Sequence, residues 1–305
     1  MSNGRIRILF TRLRVEEKLL AERAEKLGMK YSLENVRDLP VPIAYHEDDI
    51  FICRCISHFQ NLAIARALEG LGLRTINPSI IMSICGDKIA TSSLLTRHSI
   101  PQPRYRIAFS TEGAMAAAEE IGFPVVFKPT TGSWGRLIAK AETPETAQAI
   151  IEHKQHLGVL HHVFYIQEYI KKPGFDIRAF VLGGEPICAI SRKSNHWITN
   201  TARGATAECY LIDQDLEALL RKVYEAIPTD FMAVDVFITD QGYLVNEVND
   251  SAEFRNSIET TGCDIPARVI QYAQEIKIKR NKRIFNKCKQ ESCTQAGWYG
   301  IQSFN

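Results

Sequence analysis

Residues 124–140 read PVVFKPTTGSWGRLIAK. An apolar run ends in Lys128, a Thr/Gly/Ser loop follows, and a second strand-like run comes straight after it. The loop Gly132-Ser133-Trp134-Gly135 is not a Walker A sequence, because G-x-x-x-x-G-K-[ST] is absent from the chain. It opens no helix, so no helix dipole is offered to an anion there. Backbone N–H groups of a glycine-containing hairpin can still cradle phosphate oxygens, with Lys128 as the point charge. An ordinary hairpin turn favours the same residues.

A second hairpin carries the acidic end. Between FMAVDVFIT (231–239) and YLVNEVN (243–249) lies Asp240-Gln241-Gly242. A three-residue loop with glycine last predicts a type I turn plus a G1 bulge at Gly242. Pairing then puts Asp235 opposite Glu247, and Asn249 shares the face of Glu247. Like charges directly opposite one another are unfavourable, so something must neutralise them. An all-oxygen cluster suits Mg²⁺; a surface pair balanced by Lys or Arg is the other reading.

The rest of the chain bounds the class. Its 305 residues are 45% hydrophobic and 24% charged, enough for two or three packed units. No apolar run is long enough to predict a transmembrane helix. The N-terminus MSNGRIRILFTRLRVEE lacks the h-region of a secretory signal. A cytoplasmic protein without a membrane partner is expected. Eight cysteines are scattered, and free thiols are expected rather than a disulfide framework. Residues 277–289, KIKRNKRIFNKCK, carry seven Lys/Arg and no acid. Composition reads this as a solvated, partly disordered tail, or else as a patch for an acidic partner. Nothing else resembles a nucleic-acid module, so no nucleic-acid partner is expected.

Periodicity organises the chain. Strand at 5–10, helix at 15–27 closed by Gly28, strand at 49–56 and helix at 61–71 closed by Gly72 predict a parallel α/β unit. Cys53 and Cys55 would then face opposite sides of one strand. Further helices are expected at 87–97, 111–121 with Thr111 as N-cap, 143–153, 214–226 and 265–279. Strands are expected at 105–109, 163–170, 177–182 and 186–191, the last two joined by the hairpin signal Gly183-Gly184. The fold class is α/β (α+β).

The ordered set Lys88, Lys128-Pro129, the Gly-Ser-Trp-Gly loop, Gln167-Glu168-Tyr169-Ile170, Asp176-Ile177-Arg178, Arg192, Asn200, Asp235 and Asn246-Glu247-Val248-Asn249 resembles the ATP-grasp superfamily of carboxylate–amine ligases. The resemblance runs from about residue 5 to about 280. Within it, His196–Gly204 and Glu253–Pro266 resemble the LysX type, in the branch shared with the ribosomal-protein-S6 glutamate ligases. Departures are Gly204-Ala205, where members often carry Gly-Gly, and Asn249-Asp250-Ser251-Ala252-Glu253, unlike the S6-modifying type.

The resemblance implies an ATP-grasp fold behind a parallel α/β pre-ATP-grasp domain. Expected boundaries are 1–84 for the pre-ATP-grasp domain, 85–166 for the small domain with the lid loop, and 167–280 for the C-terminal domain. Residues 281–305 would be a basic, disordered tail. Residues 130–136, with Gly132, Ser133, Trp134, Gly135 and Arg136, would close over the ATP phosphates contacted by Lys88 and Lys128. Gln167, Glu168, Tyr169 and Ile170 would hold adenine, and Asp176 would reach the ribose. Asp235, Glu247 and Asn249 would bind one or two Mg²⁺. Arg178, Arg192 and Asn200 would face the transferred phosphoryl group.

A carboxylate is a poor electrophile, because its leaving group would be oxide. An acyl phosphate made from ATP removes that barrier, and the protein then mainly positions groups and neutralises charge. A lid excludes water, which would hydrolyse the intermediate. The LysX resemblance implies a small acidic amino-group carrier protein whose C-terminal glutamate is the acyl donor. The amine would be α-aminoadipate, or glutamate in the arginine branch, so lysine or arginine biosynthesis is implied. Some of 277–289 would steer that carrier. Arg192, Asn195, Asn256, Ser257, Thr260 and Thr261 are candidates for the substrate's two carboxylates. His58 reads either as lining the site or as an exposed loop histidine. The resemblance also implies a homodimer or homotetramer. The rival readings are an S6-type glutamate ligase acting on a ribosomal protein or cofactor, and a non-catalytic ATP-binding regulatory protein.

Overall fold

In the computed structural model, residues 4–42, 45–132, 137–194, 196–197 and 206–279 are described. They fall into two compact units. The first comprises 4–56, 63–76 and 266–279. The second comprises 57–62 and 77–265.

The first unit is built on a four-stranded parallel sheet. β1 (Ile6–Phe10), β2 (Tyr31–Asn35), β3 (Ile50–Cys53) and β4 (Arg74–Ile76) lie in the order β2-β1-β3-β4. All four residues of β3, IFIC, are buried, as befits a parallel strand covered on both faces. Helix α1 (Val15–Lys26) follows β1, and Glu17 in its first turn accepts from Arg14 N at 2.8 Å and from Arg14 Nη2 at 2.7 Å. Glu17 also accepts from the buried guanidinium of Arg54 at 3.2 Å. Helix α2 (His58–Gly70) follows β3. Helix α9, residues 265–279, returns to this unit through the buried Ile270 and Ala273.

The second unit starts with α3 (Ser79–Cys85) and α4 (Lys88–Arg97). β5 (Tyr105–Ala108), α5 (Thr111–Ile121), β6 (Val125–Lys128), β7 (Ala139–Ala141), α6 (Pro144–Gln155) and β8 (Phe164–Glu168) follow. Their strands form an antiparallel sheet in the order β5-β8-β6-β7. Ala114, Ala118 and Ile151 from the two helices bury Phe127, Phe164 and Ile166 of the strands. Small residues on α5 let the helix lie close to the sheet.

Next come β9 (Phe175–Leu182), β10 (Glu185–Lys193), β11 (Thr206–Tyr210), α7 (Gln214–Ala226), β12 (Phe231–Thr239), β13 (Gly242–Asn249) and α8 (Arg255–Thr261). These strands make a five-stranded antiparallel sheet, β11-β10-β9-β12-β13. Leu216, Leu220 and Val223 recur at helical spacing on α7 and bury Ile177, Val181, Val234 and Val236. β9 and β10 turn through Gly183-Gly184, both at positive φ, with Leu182 opposite Glu185. That matches the two-residue hairpin expected from the glycine pair.

Several expectations need correction. The strand expected at 49–56 ends at Cys53, so Cys55 lies beyond it, and both thiols are buried. Strands β2, β4 and β11 and helices α3 and α8 were not foreseen. Ser110, not Thr111, caps α5, because its hydroxyl reaches Gly113 N at 3.0 Å. Lys277 is not part of an exposed patch: it is buried and donates to the carbonyl of Gly4. The basic run from 280 onward lies outside the described residues.

The acidic hairpin is corrected most usefully. Asp235 does pair with Glu247, but Thr239 pairs with Gly242, leaving Asp240-Gln241 as the turn. The extra residue is Asn246, where the register shifts between Asp235 and Val236. Counting from the turn fixes that one residue is extra, not where it sits.

Candidate active site

The bulge decides what the β12–β13 hairpin presents. In an unbroken strand Asn246 and Glu247 would face opposite ways. A bulge re-aims a side chain, and here both meet lysines. Lys128 donates to Asn246 Oδ1 at 2.8 Å, and Lys88 Nζ lies 3.0 Å from Glu247 Oε1. Asn246 was quoted from the sequence only as part of a motif, since nothing local marks it as a bulge.

Lys88 opens α4 behind its N-cap Asp87, whose carboxylate accepts from Ile89 N at 2.8 Å. A cation at a helix N-terminus opposes the helix dipole, and such broken local rules mark functional positions. Its backbone N–H donates to Thr130 O at 2.8 Å and its ammonium to Gly132 O at 3.0 Å. Asp87 and Thr131 form an isolated bridge. One short segment therefore grips residues 130–132, just after β6, and touches the carboxylate of Glu247. Ser133, Trp134, Gly135 and Arg136 lie outside the described residues, as do Asn195 and Asn200.

Lys128 ends β6, a fully buried strand, and is itself buried. Burial pushes its ammonium down to about 8, with Glu247 pulling the other way and Lys88 adding to the depression. Between that value and the ordinary lysine range the unfolded chain holds more protons, so this group makes stability rise with pH across the window. On the expectation that Lys128 contacts a phosphate, which needs the charged form, activity would run the other way. We expect kcat/KM for ATP to fall above about pH 8. Lys128→Arg, always charged, should remove that limb from the pH–rate profile.

An alternating ladder of charge crosses β10, β9 and β12. Arg192 stands opposite Asp176, and Arg178 opposite Asp235. Arg192 grips Asp176 at 2.7 and 2.9 Å and reaches Asp235 Oδ2 at 3.1 Å. Arg178 grips Asp235 at 2.7 and 2.8 Å. Asp176, Arg192 and Asp235 are each at most 4% exposed. Burial pushes the Asp235 carboxyl up, but Arg178 and Arg192 outweigh it and hold it well below the usual range. Burial likewise opposes Glu247, whose carboxyl is still lowered, mainly by Lys88. In this structure cations thus meet the charge demand of the opposed carboxylates.

Lys172 was missed by sequence reading. Its ammonium lies over the Phe237 ring at 5.3 Å, and burial lowers its pKa beside Asp176, Arg192 and Asp235. Nothing in Lys171-Lys172 distinguishes it from a surface pair.

The four adenine candidates lie at the end of β8, Gln167 and Glu168 within it and Tyr169 and Ile170 just after. Gln167 is buried. Glu168 accepts from Arg104 N and Nε at 2.7 and 2.8 Å, so its side chain is turned to Arg104. Tyr169 N donates to Pro124 O, and the ring carries Lys140 at 4.8 Å and the edge of Trp197 at 6.2 Å. Ile170 follows, half-buried. Asn256, Ser257, Thr260 and Thr261 lie on α8, which packs against β10 and β11 and ends at the left-handed Gly262. The two threonine hydroxyls bond back to Asn256 O and Ser257 O at 2.6 Å, and Ser257 is buried. His58 is half-buried rather than an open loop residue. It begins α2, and its ring occupies the space a Cβ on Gly86 would need.

Asp235, Glu247 and Asn249 supply two carboxylates and a carboxamide. No cluster of three or more His, Cys, Asp or Glu that could hold a metal occurs among the described residues. The hard, all-oxygen set nevertheless fits Mg²⁺. Asn249 Nδ2 is buried without a hydrogen-bond partner. Amide orientation is an assignment, so the Asn249 carboxamide can equally present its oxygen there.

A β6–β7 hairpin whose entry is strapped to one lysine, a second lysine buried at the end of β6, and an acidic hairpin on a separate antiparallel sheet that meets both lysines are the arrangement of the ATP-grasp class of ligases. This fold implies ATP binding. Residues 85–273 match the RimK-like ATP-grasp domain and residues 6–84 the LysX pre-ATP-grasp domain. The chain belongs to the RimK-like ATP-grasp ligases that carry a LysX-type N-terminal domain. It is 35% identical over 279 residues to the α-aminoadipate–LysW ligase LysX of Sulfurisphaera tokodaii, covering 88% of this chain and 97% of that one. It is 36% identical over 276 residues to the glutamate–LysW ligase ArgX of Sulfolobus acidocaldarius, covering 88% and 98%. The crystal structure of a RimK-domain ATP-grasp protein from Sphaerobacter thermophilus superposes with a TM-score of 0.74 at 27% identity, covering 88% of this chain and 99% of that one. No helix among the described residues is long and apolar enough to cross a membrane.

Proposed function

We propose that this chain joins the α-amino group of an acidic amino acid, α-aminoadipate or glutamate, to the C-terminal glutamate of a small acidic carrier protein. The observation that carries this reading is the near full-length likeness to ligases named for LysW, at 35% and 36% identity. The γ-phosphoryl group of ATP would pass to the carrier's carboxylate as the bond to ADP breaks and ADP leaves, and the amine would then displace phosphate from the acyl phosphate. The carbon–oxygen bond to phosphate breaks as the amide bond forms, and the amine's proton leaves to solvent.

Each residue then has a task. Lys88 and Lys128 neutralise phosphate oxygens under the lid. Main chain at Gln167–Tyr169 receives adenine. Asp235, Glu247 and Asn249 would hold Mg²⁺, which when bound neutralises charge on the phosphates. Arg178 and Arg192 stabilise the negative charge of the transferred group. Helix α8 lines the amino-acid side next to β10.

Intact-mass analysis of a LysW-type carrier tests the reading. The carrier is incubated with the enzyme, ATP and Mg²⁺, with α-aminoadipate and glutamate in separate tubes. A mass gain of one condensed amino acid, absent without ATP, is expected in one tube. No gain in either, with ADP released on another protein acceptor, would instead assign an S6-type glutamate ligase.

A further inference from the structure

We propose that Arg178 gates the divalent-cation site: it holds Asp235 while no cation is bound and must let go for one to bind. The inference rests on the reading that Asp235 is a metal ligand.

The geometry is unequal among the three candidate ligands. Glu247 is held by a single long lysine side chain. Asn249 Nδ2 has no partner. Asp235 is closed. Arg178 forks onto both of its oxygens at 2.7 and 2.8 Å, and Arg192 adds a contact to Oδ2 at 3.1 Å. An ionised carboxylate offers roughly four lone-pair sites, and three are taken. A cation bound to either oxygen displaces one tine of the fork. It also brings like charge against the guanidinium in a site with little water to screen it.

The two arginines differ in what they can do next. Arg192 forks onto both oxygens of Asp176, so losing Asp235 leaves it still paired. Among the described residues Arg178 makes no other ion pair or side-chain hydrogen bond. Releasing it leaves a half-buried guanidinium, already in the site, without an anion. It is then available to the charged group being transferred. Cation binding and anion binding therefore favour each other through one residue, a coupling that is reciprocal by necessity.

The test is Mn²⁺ alone, titrated against the full chain by electron paramagnetic resonance. Arg178→Lys keeps the charge and loses the fork. It should bind Mn²⁺ at least about 5-fold more tightly than wild type, a coupling within the usual range, and turn over more slowly. Arg178→Gln should bind tighter still. Lys172→Gln removes an equal charge that does not grip Asp235, and should tighten binding less than Arg178→Gln does. Unchanged or weaker binding by Arg178→Lys overturns the gate, as does equal tightening by Lys172→Gln. If Arg178→Gln fails to fold, Arg178→Lys decides alone. Asp235→Asn should weaken Mn²⁺ binding. Binding equal to wild type there would remove Asp235 as a ligand, so the metal assignment would fall together with the gate.

Discussion

Asp235→Asn is expected to lower turnover at saturating ATP and Mg²⁺ by about 10³-fold or more, and to destabilise the protein as well. On the proposal that Asp235 is a Mg²⁺ ligand, the catalytic estimate follows from the loss of one preorganised charged group in a phosphoryl-transfer site. The stability estimate follows from burial. Asp235 is 3% exposed and faces two guanidiniums, one of which has no other described acceptor. Removing one member of a buried ion pair typically costs about 3–5 kcal/mol, because the remaining charge stays buried. The pH signature has a definite sign. The folded carboxyl is depressed, so the unfolded chain binds the proton first as pH falls. The stability that Asp235 contributes is whole above the ordinary carboxylate range, and is lost as pH falls toward the depressed folded value. Denaturant midpoints should therefore differ most between wild type and variant at neutral pH and converge in acid. Equal midpoints at pH 7 would sink the structural half of this prediction, and unchanged turnover the catalytic half.

What could be read from the sequence was what is local. The hairpin signals Gly183-Gly184 and Asp240-Gln241-Gly242 located two strand pairs, and the apolar spacing of α7 gave its bounds to the residue. The opposition of Asp235 and Glu247 was legible too, because residue counting across a turn survives a misplaced bulge. The bulge itself was not, since Asn246 is an ordinary strand residue by type. β2, YSLEN, was missed because it is half-polar, as an edge strand can be, and β4 because three residues show no period.

The site's contacts were the least legible. Lys128 and Asn246 are 118 residues apart and belong to different sheets. Arg178 and Arg192 were named as catalytic candidates from the resemblance, but their grip on Asp235 and Asp176 is a property of strand register. No pattern within one segment encodes which strand will lie beside it. The costs that do show locally, a lysine at the start of α4 and another at the end of a buried strand, are legible as broken rules. Their partners are not.

The second large effect belongs to a residue outside the charge ladder. Asn77→Ala is expected to lower stability by about 3–5 kcal/mol and to loosen the β12–β13 hairpin. Asn77 is 1% exposed, and its carboxamide is used completely. Nδ2 donates to Phe231 O at 2.6 Å and Asp250 O at 2.8 Å, while Oδ1 accepts from Asp230 N at 2.6 Å and Phe231 N at 3.0 Å. Those groups are the entry to β12 and the exit from β13, the two ends of the hairpin that carries Asp235, Glu247 and Asn249. Removing a buried partner costs roughly 1–3 kcal/mol per group left unsatisfied, with water entry relieving part of it. Asn77→Asp separates this account from simple loss of packing. The introduced carboxylate can still accept from the two N–H groups, but it has no proton for the two carbonyls. Its folded pKa should rise, since only the acid form can donate. The penalty should be full at neutral pH and ease as pH falls below that raised value, the opposite trend to Asp235. Hydrogen exchange at the Phe231 amide reads the same contact locally. Exchange should quicken in Asn77→Ala, and protection equal to wild type would show that the strand end is held by something else.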